Sequence, residues 1–249
     1  MTDIDKIQTT DCFALAAQLG DESVNIVLTD PPYPNRMHLF PETLVDGLAM
    51  LYVACKKAKS YVVFFWNPFD VPQAPPGWHE VARHVWHKPD CKSITHYEVI
   101  VVWSKEVRQK VSRVWSIPIL DYRSLHDWKP HPTQKPVKLL RYLLEQYTAE
   151  GDLVFDPFVG SGTTAVACQQ MKRHFIACEI NPEYAQIATS RLKEPKIAHL
   201  SGEHEGDVAP SPLPQEEQEP ASPEEMAPDE NDEPEKPARR SQRRKTTEE

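Results

Sequence analysis

A short stretch near the start of the chain places an acid, two prolines and an aromatic residue at the end of an apolar run. The residues VLT at 27–29 are followed by Asp30, Pro31, Pro32 and Tyr33. Because neither proline can donate a backbone hydrogen bond or continue a strand, the run must end in a rigid turn. Such a turn would hold the Asp30 carboxylate and the Pro31 carbonyl as fixed hydrogen-bond acceptors beside a flat ring. The alternative is a strand-ending turn with no role beyond structure.

A second stretch, VFDPFVGSGTT at 154–164, has the pattern of a ligand-binding glycine turn. A strand ends at Asp156, and Gly160 and Gly162 bracket the turn into a helix, whose start offers N–H groups. Glu179 ends the next predicted strand, where a carboxylate can accept both hydroxyls of a ribose. The absence of G-x-G-x-x-G and of a phosphate-gripping lysine favours S-adenosylmethionine (SAM) over NAD or ATP. The alternative is a structural turn followed by a surface glutamate.

Alternating strand-like and helix-like runs must position these residues. Apolar runs predict strands at 23–29, 61–66, 78–87, 97–104, 153–156 and 174–179. Helical spacing predicts helices at 41–57, 137–148, from 162 onward and at 182–192. Residues 105–130 show neither pattern. Strands that alternate with helices predict an α/β domain with a mostly parallel sheet covered on both faces.

The last 49 residues differ in composition from the rest. Residues 201–249 hold 15 acidic residues, 6 basic residues and 8 prolines, with few large apolar side chains. We therefore predict a folded domain at 1–200 and a disordered tail at 201–249. The formal charge of −9 comes from this tail, since residues 1–200 hold 22 basic (28 less 6) and 22 acidic residues (37 less 15). The negative total therefore does not argue against a nucleic-acid partner, which would be bound through a local basic patch.

The five cysteines are odd in number and form no C-x-x-C pair, which indicates free thiols and a reducing, cytoplasmic location. The first residues lack the apolar segment of a secretory signal. No apolar run approaches the ~18 residues of a membrane span, so we expect no membrane partner. His126 and His131 are not at metal-ligand spacing with any cysteine, and we predict no metal.

Four motifs resemble those of the amino-group DNA methyltransferases. They are TDPPY at 29–33, HPTQKP at 131–136, FDPFVGSGTT at 155–164 and EINPEY at 179–184. The catalytic motif precedes the cofactor motif, as in the permuted, β-type branch of that family. The resemblance covers most of residues 8–193. It implies a Rossmann-like SAM-methyltransferase fold with a seven-stranded, mostly parallel sheet, and double-stranded DNA as the partner of a monomer or homodimer.

The resemblance also implies which residues hold the cofactor SAM. These are Asp11, Thr133, Lys135, Asp156, Phe158, Gly160, Gly162, Thr163 and Glu179. The glycine turn would wrap the methionine part, Glu179 would hold the ribose, and HPTQKP would line the pocket. Asp11 matches the acidic position near the adenine, although a lone aspartate before an apolar run is as often a helix cap.

The catalytic residues implied by the resemblance are Asp30, Pro31, Pro32 and Tyr33. An exocyclic amine of adenine or cytosine is a poor nucleophile, because its lone pair is delocalised into the ring. Asp30 and the Pro31 carbonyl would each accept one N–H of that amine, and Tyr33 would offer its face to a base swung out of the helix. No covalent nucleophile is needed. Pro34 stands where the family often has glycine, so the following loop is stiffer at its base.

Residues 105–130 are the candidate DNA-contacting segment. Trp115, Tyr122 and Trp128 alternate there with Lys105, Arg108, Lys110, Arg113, Arg123 and Lys129. This mixture suits contacts to phosphates and unstacked bases. The alternative is a solvated loop whose aromatic residues lie in the core. The basic cluster RRSQRRK at 239–245 either contacts DNA or folds back on the acidic run beside it.

Methylation of adenine N6 in DNA is the leading hypothesis. One alternative is cytosine N4, for which the family more often has serine in place of Asp30. Others are methylation of RNA or of a protein amide, and a catalytically idle SAM-fold protein that binds DNA. The intact Asp30 and Glu179 argue against the idle protein.

Overall fold

An eight-stranded sheet with helices on both faces makes up the part of the chain that the structure describes. The structure is a computed structural model, and it describes residues 3–32, 46–89, 91, 96–118 and 134–193. The strands are β1 (Lys6–Thr9), β2 (Val24–Thr29), β3 (Ala58–Trp66), β4 (His79–His87), β5 (Tyr97–Ser104), β6 (Val114–Ser116), β7 (Leu153–Asp156) and β8 (His174–Glu179). The helices are α1 (Cys12–Ala16), α2 (Gly47–Lys57), α3 (Val137–Tyr147), α4 (Thr163–Gln170) and α5 (Pro182–Lys193).

The strands lie in the order β1-β8-β7-β2-β3-β5-β4-β6. β5 runs antiparallel to both of its neighbours, and the other adjacent pairs are parallel. The predicted α/β class with a mostly parallel sheet is therefore confirmed. Within the described residues the sheet has eight strands rather than seven, because the three-residue β6 adds an edge beside β4.

Both faces of the sheet are buried. On β3, Val62, Phe64 and Trp66 point into one core, whereas Val63 and Phe65 point into the other. The apolar residues of α1 and α2 complete the first core, and those of α3 and α4 complete the second. This arrangement explains the continuous apolar run of β3, since a strand between two helix layers needs no polar side.

The structure corrects the predicted elements at three places. β1 and α1 were not predicted, and β6 lies inside the segment predicted to be irregular. β1 has no alternating pattern of its own and is held by its four-residue pairing with β8. Residues 41–45 of the helix predicted at 41–57 and the predicted tail at 201–249 lie outside the described residues. In the described ranges, no helix is long and apolar enough to cross a membrane.

Candidate active site

Four acidic residues line one edge of the sheet. The neighbouring parallel strands β1, β8, β7 and β2 end at the same edge. Asp11 follows β1, Glu179 and Asp156 are the last residues of β8 and β7, and Asp30 follows β2. The strand order therefore arranges them as Asp11, Glu179, Asp156 and Asp30, although they are far apart in the sequence.

The crevice of this edge lies between β2 and β7. The chain leaves β2 toward β3 on one side of the sheet and leaves β7 toward β8 on the other. Open α/β sheets bind ligands at such a switch point. Across it, the hydroxyl Oγ1 of Thr29 donates to Oδ1 of Asp156 at 2.7 Å. This bond joins the turn that carries Asp30 to the glycine turn after β7.

Asp156 organises the glycine turn from inside the protein. Its side chain is buried, and Oδ1 also accepts the backbone N–H of Phe158 at 3.0 Å. Burial raises the pKa of Asp156 to about 6, although hydrogen bonds from Thr164, Thr29 and Phe158 act in the opposite direction. Asp156 therefore stabilises the turn as a hydrogen-bond acceptor for its neighbours.

Glu179 is held by two backbone groups of the glycine turn and of the α5 entry. The N–H of Gly160 donates to Oε2 at 3.1 Å, and the N–H of Asn181 donates to Oε1 at 2.8 Å. The carboxylate is half-buried, and burial raises its pKa above the ordinary value. Because a carboxylate oxygen can accept more than one hydrogen bond, Glu179 can also bind a pair of neighbouring hydroxyls.

The local structure favours glycine at positions 160 and 162 of the turn. Gly160 and Gly162 both have positive φ, at 53° and 86°. A Cβ at Gly162 would lie 2.8 Å from Cβ and 2.9 Å from Cα of Ala188, so Gly162 lets α5 pack closely. The glycine pattern predicted a ligand approach at both positions. At position 162, the positive φ and the close packing of α5 already favour glycine, and the ligand approach stays a prediction at both positions.

Arg191 of α5 clamps the same turn, and sequence reasoning missed it. Its Nη1 donates to the carbonyl of Ser161 at 2.7 Å and to Oγ1 of Thr163 at 3.1 Å. Thr163, predicted to bind cofactor, is the first residue of α4 and is buried in this contact. Phe158 packs against the first core and is partly buried. A lone arginine in a helical pattern gave no signal for this role.

Two successive residues before α3 connect the glycine turn with the Asp30 turn. Oε1 of Gln134 accepts a hydrogen bond from the Ser161 hydroxyl at 2.8 Å. The ammonium of Lys135 forms an ion pair with Oδ2 of Asp30 and lies 3.2 Å from Oε2 of Glu98. The structure therefore places Lys135, predicted to line the cofactor pocket, against the predicted catalytic carboxylate. Thr133 lies outside the described residues.

A glycine supports the Asp30 turn from behind. Gly47 begins α2, and a Cβ there would lie 2.1 Å from the carbonyl oxygen of Pro32 and 3.0 Å from Cβ of Pro31. Only glycine allows α2 to approach this turn so closely. The signal that could have found it is a single glycine inside a helical pattern. Tyr33 lies outside the described residues.

Asp11 is the N-cap of α1. Its Oδ1 accepts the backbone N–H groups of Phe13 and Ala14, at 2.9 and 3.0 Å. The capping alternative therefore describes what the Asp11 side chain does in the structure. The position still lies beside Glu179, because the N–H of Thr10 donates to the Glu179 carbonyl at 3.2 Å.

In the described half of the candidate DNA-contacting segment, aromatic and basic side chains contact the rest of the protein or one another. Trp115 is buried and stacks on Tyr142 at 6.4 Å between ring centroids, so it cannot stack on a base. The core alternative is correct for this tryptophan. Lys105, Arg108 and Lys110 form ion pairs with Glu22, Glu106 and Glu80, respectively. Tyr122, Arg123, Trp128 and Lys129 lie outside the described residues.

The five cysteines form no disulfide. All five are free, and Cys12, Cys55, Cys168 and Cys178 are buried. Burial raises the pKa of Cys12 and of Cys55 to about 12, so both remain thiols at neutral pH. Among the described side chains, no three histidine, cysteine or acidic residues cluster to hold a metal.

A family model described as "DNA methylase" matches residues 50–190. The putative methylase YubD of Escherichia coli K12 is 30% identical over 212 residues, which cover 77% of this chain and 92% of YubD. The type II methyltransferase M2.DpnII of Streptococcus pneumoniae is 32% identical over 41% of this chain and 45% of its own length. The DNA adenine methyltransferase YhdJ of E. coli K12 is 41% identical over 38% of this chain and 32% of its own length. The chain thus matches less than half of the latter two relatives.

Two solved structures share the fold. The M1.HpyAVI–SAM complex superposes with a TM-score of 0.57 and 21% identity, over 76% of this chain and 99% of that one. The cytosine-N4-specific PvuII DNA methyltransferase gives a TM-score of 0.55 and 20% identity, over 77% and 87%. At these identities the likeness concerns the arrangement of strands and helices alone.

Proposed function

This chain belongs to the DNA methylase family, and from that premise we propose that it transfers a methyl group from SAM to the exocyclic amine of a base in DNA, with adenine N6 as the target. The motif order that resembled the β-type amino-group DNA methyltransferases is thereby accounted for. The choice of adenine rests on Asp30, since the cytosine-N4 branch more often has serine there, and on the likeness to the adenine methyltransferase YhdJ.

The residues of the crevice fit SAM. Glu179 presents two carboxylate oxygens that are already oriented by the N–H groups of Gly160 and Asn181, which suits the two hydroxyls of a ribose. The turn at 158–162 would follow the methionine part. SAM supplies an electrophilic methyl group when it is bound. No lysine or glycine pattern for a pyrophosphate accompanies these residues.

Asp30 and the Pro31 carbonyl would act on the target amine. A carboxylate that accepts one N–H draws electron density toward the nitrogen and stabilises the positive charge that develops there on methylation. The two prolines and the close packing on Gly47 restrict the turn, so the acceptors need little reorganisation. Tyr33 would stack on the extruded base.

One observation carries the proposal: the hydrogen bond between Thr29 and Asp156 at 2.7 Å. It ties the residue before Asp30 to the residue that begins the glycine turn. A group bound at the glycine turn would therefore lie beside the acceptors of the Asp30 turn. Proximity of the two reactants is the main requirement of a direct methyl transfer.

The test is to incubate the protein with isotopically labelled SAM and, in parallel, with DNA, with RNA and with a mixture of proteins as acceptors. The DNA is then digested to nucleosides and the methylated nucleoside is identified. We expect N6-methyladenine, and a loss of turnover of about 10²-fold or more in Asp30→Ala with SAM affinity largely retained. Asp21→Ala removes an exposed acid of an ion pair and should behave as the native protein. N4-methylcytosine would replace the target base, and unlabelled DNA beside labelled RNA or protein would overturn the proposal.

A further inference from the structure

Four side chains of alternating charge are in contact one after another, from Lys88 to Asp30. Lys88 follows β4, and its ammonium donates to Oε1 of Glu98 at 3.0 Å. Glu98 lies on β5, and its Oε2 is 3.2 Å from the ammonium of Lys135. Lys135 forms the ion pair with Asp30. We call these four residues the ion-pair chain.

The ion-pair chain is buried except at its Asp30 end. The side chains of Lys88, Glu98 and Lys135 are 5%, 7% and 7% exposed, whereas that of Asp30 is 23% exposed. Buried ion pairs add little net stability, because desolvation of each charge costs several kcal/mol, and apolar replacements are often as stable. A purely structural role thus gives no reason for three buried charges behind one partly exposed carboxylate.

The geometry points to Lys135 as a positioning residue, which, together with Glu98 and Lys88, orients the Asp30 carboxylate for the target amine. The inference rests on the proposed function and deepens it. The Lys135 ammonium forms its ion pair with Oδ2 of Asp30 and thereby restricts rotation of that carboxylate. Glu98 holds the ammonium from the other side, and Phe65 supports it with its ring centroid 4.9 Å away.

The alternation of charges explains the role of Lys88 in the ion-pair chain. Glu98 lies between two ammonium groups, so its negative charge is shared by Lys88 and Lys135. Without Lys88, Glu98 would compete more strongly with Asp30 for Lys135. Gln134 restrains the backbone next to Lys135 through its bond to Ser161. The Asp30 carboxylate is therefore positioned relative to the glycine turn as well as to the sheet.

The test measures single-turnover methyl transfer at saturating SAM and DNA, together with the SAM dissociation constant by calorimetry. Lys135→Met should lower the rate about 10²-fold and change the SAM dissociation constant less than about 3-fold. Lys135→Arg should recover part of the rate, because it keeps the charge. Glu98→Gln should give a smaller loss in the same direction. Lys6→Met, in an exposed ion pair with Asp3, is the matched control and should leave both quantities unchanged.

A double variant separates an effect through Asp30 from an independent one. In an Asp30→Ala background, Lys135→Met should lower the residual rate less than about 3-fold, since the group it positions is gone. A multiplicative loss would overturn the inference, and so would a Lys135→Met variant that loses SAM affinity instead of rate. If Lys135→Met is unfolded by circular dichroism, Lys135→Arg and Glu98→Gln decide: native rates in both overturn the inference. Failure of the proposed function is a different result, in which the native chain methylates no DNA or Asp30→Ala turns over normally.

Discussion

Glu179 was singled out by its spacing, and its role toward a ribose stays a prediction. Its distance from the glycine turn predicted a ribose acid, and the structure adds the two N–H groups that orient it. Asp11 differs from Glu179, because its side chain has a structural role in the described residues, and its role toward the adenine stays a prediction. Its position matched a family motif, yet its side chain caps α1. Lys135 was predicted to line the cofactor pocket, and that role stays a prediction. Its contact with Asp30 joins residues 105 positions apart in the chain, which no local pattern reveals.

Replacing Glu179 should weaken cofactor binding with little effect on the fold. Hydrogen bonds to a charged group contribute about 1.5–3 kcal/mol, so Glu179→Ala should raise the SAM dissociation constant about 10-fold to 100-fold, measured by calorimetry. Burial raises the pKa of Glu179, so the native affinity should also fall as acidification protonates the carboxylate. Glu183→Ala, an exposed glutamate of α5, is the control. Unchanged affinity in Glu179→Ala would remove the ribose assignment.

His84 should make folding stability depend on pH. Its Nε2 lies 2.5 Å from the Tyr147 hydroxyl, and Nδ1 accepts the backbone N–H of Arg113 at 3.0 Å. Burial, with the charge of Arg113, lowers the pKa of His84 to about 4. Between the unfolded pKa of 6.5 and this value only the unfolded state gains the proton, so stability falls as pH drops through that window. The slope is about 1.4 kcal/mol per pH unit.

Protonation of Asp156 changes folding stability with pH in the direction opposite to that of His84. Its pKa is raised to about 6 by burial, so between pH 6 and its ordinary value of 3.8 the folded state binds the proton first and stability rises as pH falls. The native protein should therefore show a weak pH dependence between pH 4 and 6. His84→Gln should leave the Asp156 slope, with stability rising on acidification. Denaturant unfolding of both proteins across pH 4–7 measures this, and parallel pH curves would contradict the assigned histidine.

At the scale of elements, strands and helices with a strong pattern of their own were predictable and those held by neighbours were not. β5, β7 and β8 have the predicted bounds, because their apolar runs end sharply at polar or turn residues. β1 depends on its pairing with β8, and the three residues of β6 depend on β4. The order of the strands, which brings Asp30 beside the glycine turn, comes from pairing between distant segments, and no local pattern in the sequence reveals it.

The start of α2 should control the Asp30 turn. Gly47→Ala would place a methyl group 2.1 Å from the Pro32 carbonyl oxygen, so the turn or the helix must shift. A displacement of about 1 Å at a reacting group can cost about 10²-fold in rate. We expect such a loss of methyl transfer with SAM affinity retained. Gly20→Ala is the matched control, since its new Cβ would meet only Ser23 at 3.9 Å. Native turnover in Gly47→Ala would show that the turn tolerates the shift.

At the scale of the whole molecule, the net charge and the proposed active-site residues lie in different parts of the sequence. Residues 1–200 carry equal numbers of acidic and basic residues, and the formal charge of −9 comes from residues 201–249. Three cations of the predicted DNA-contacting segment are paired with acids of the domain. A polyanion such as DNA would therefore meet a near-neutral stretch at 1–200 and an acidic stretch at 201–249. Whether the segment repels DNA or binds it through the cluster at 239–245 depends on which charges dominate.

Truncation after residue 200 should leave methyl transfer intact and tighten DNA binding at low salt. It removes 15 acidic and 6 basic residues, and repulsion by the larger number should dominate. The difference should shrink as salt rises, because screening weakens both effects. The measurement is DNA affinity of both lengths across a salt series. Full-length protein with the basic residues of 239–245 changed to glutamine is the control, and it should bind no more tightly than the native chain. Tighter binding by the native chain than by the truncated one would show that the basic cluster dominates, and loss of cooperative unfolding on truncation would show that the segment belongs to the fold.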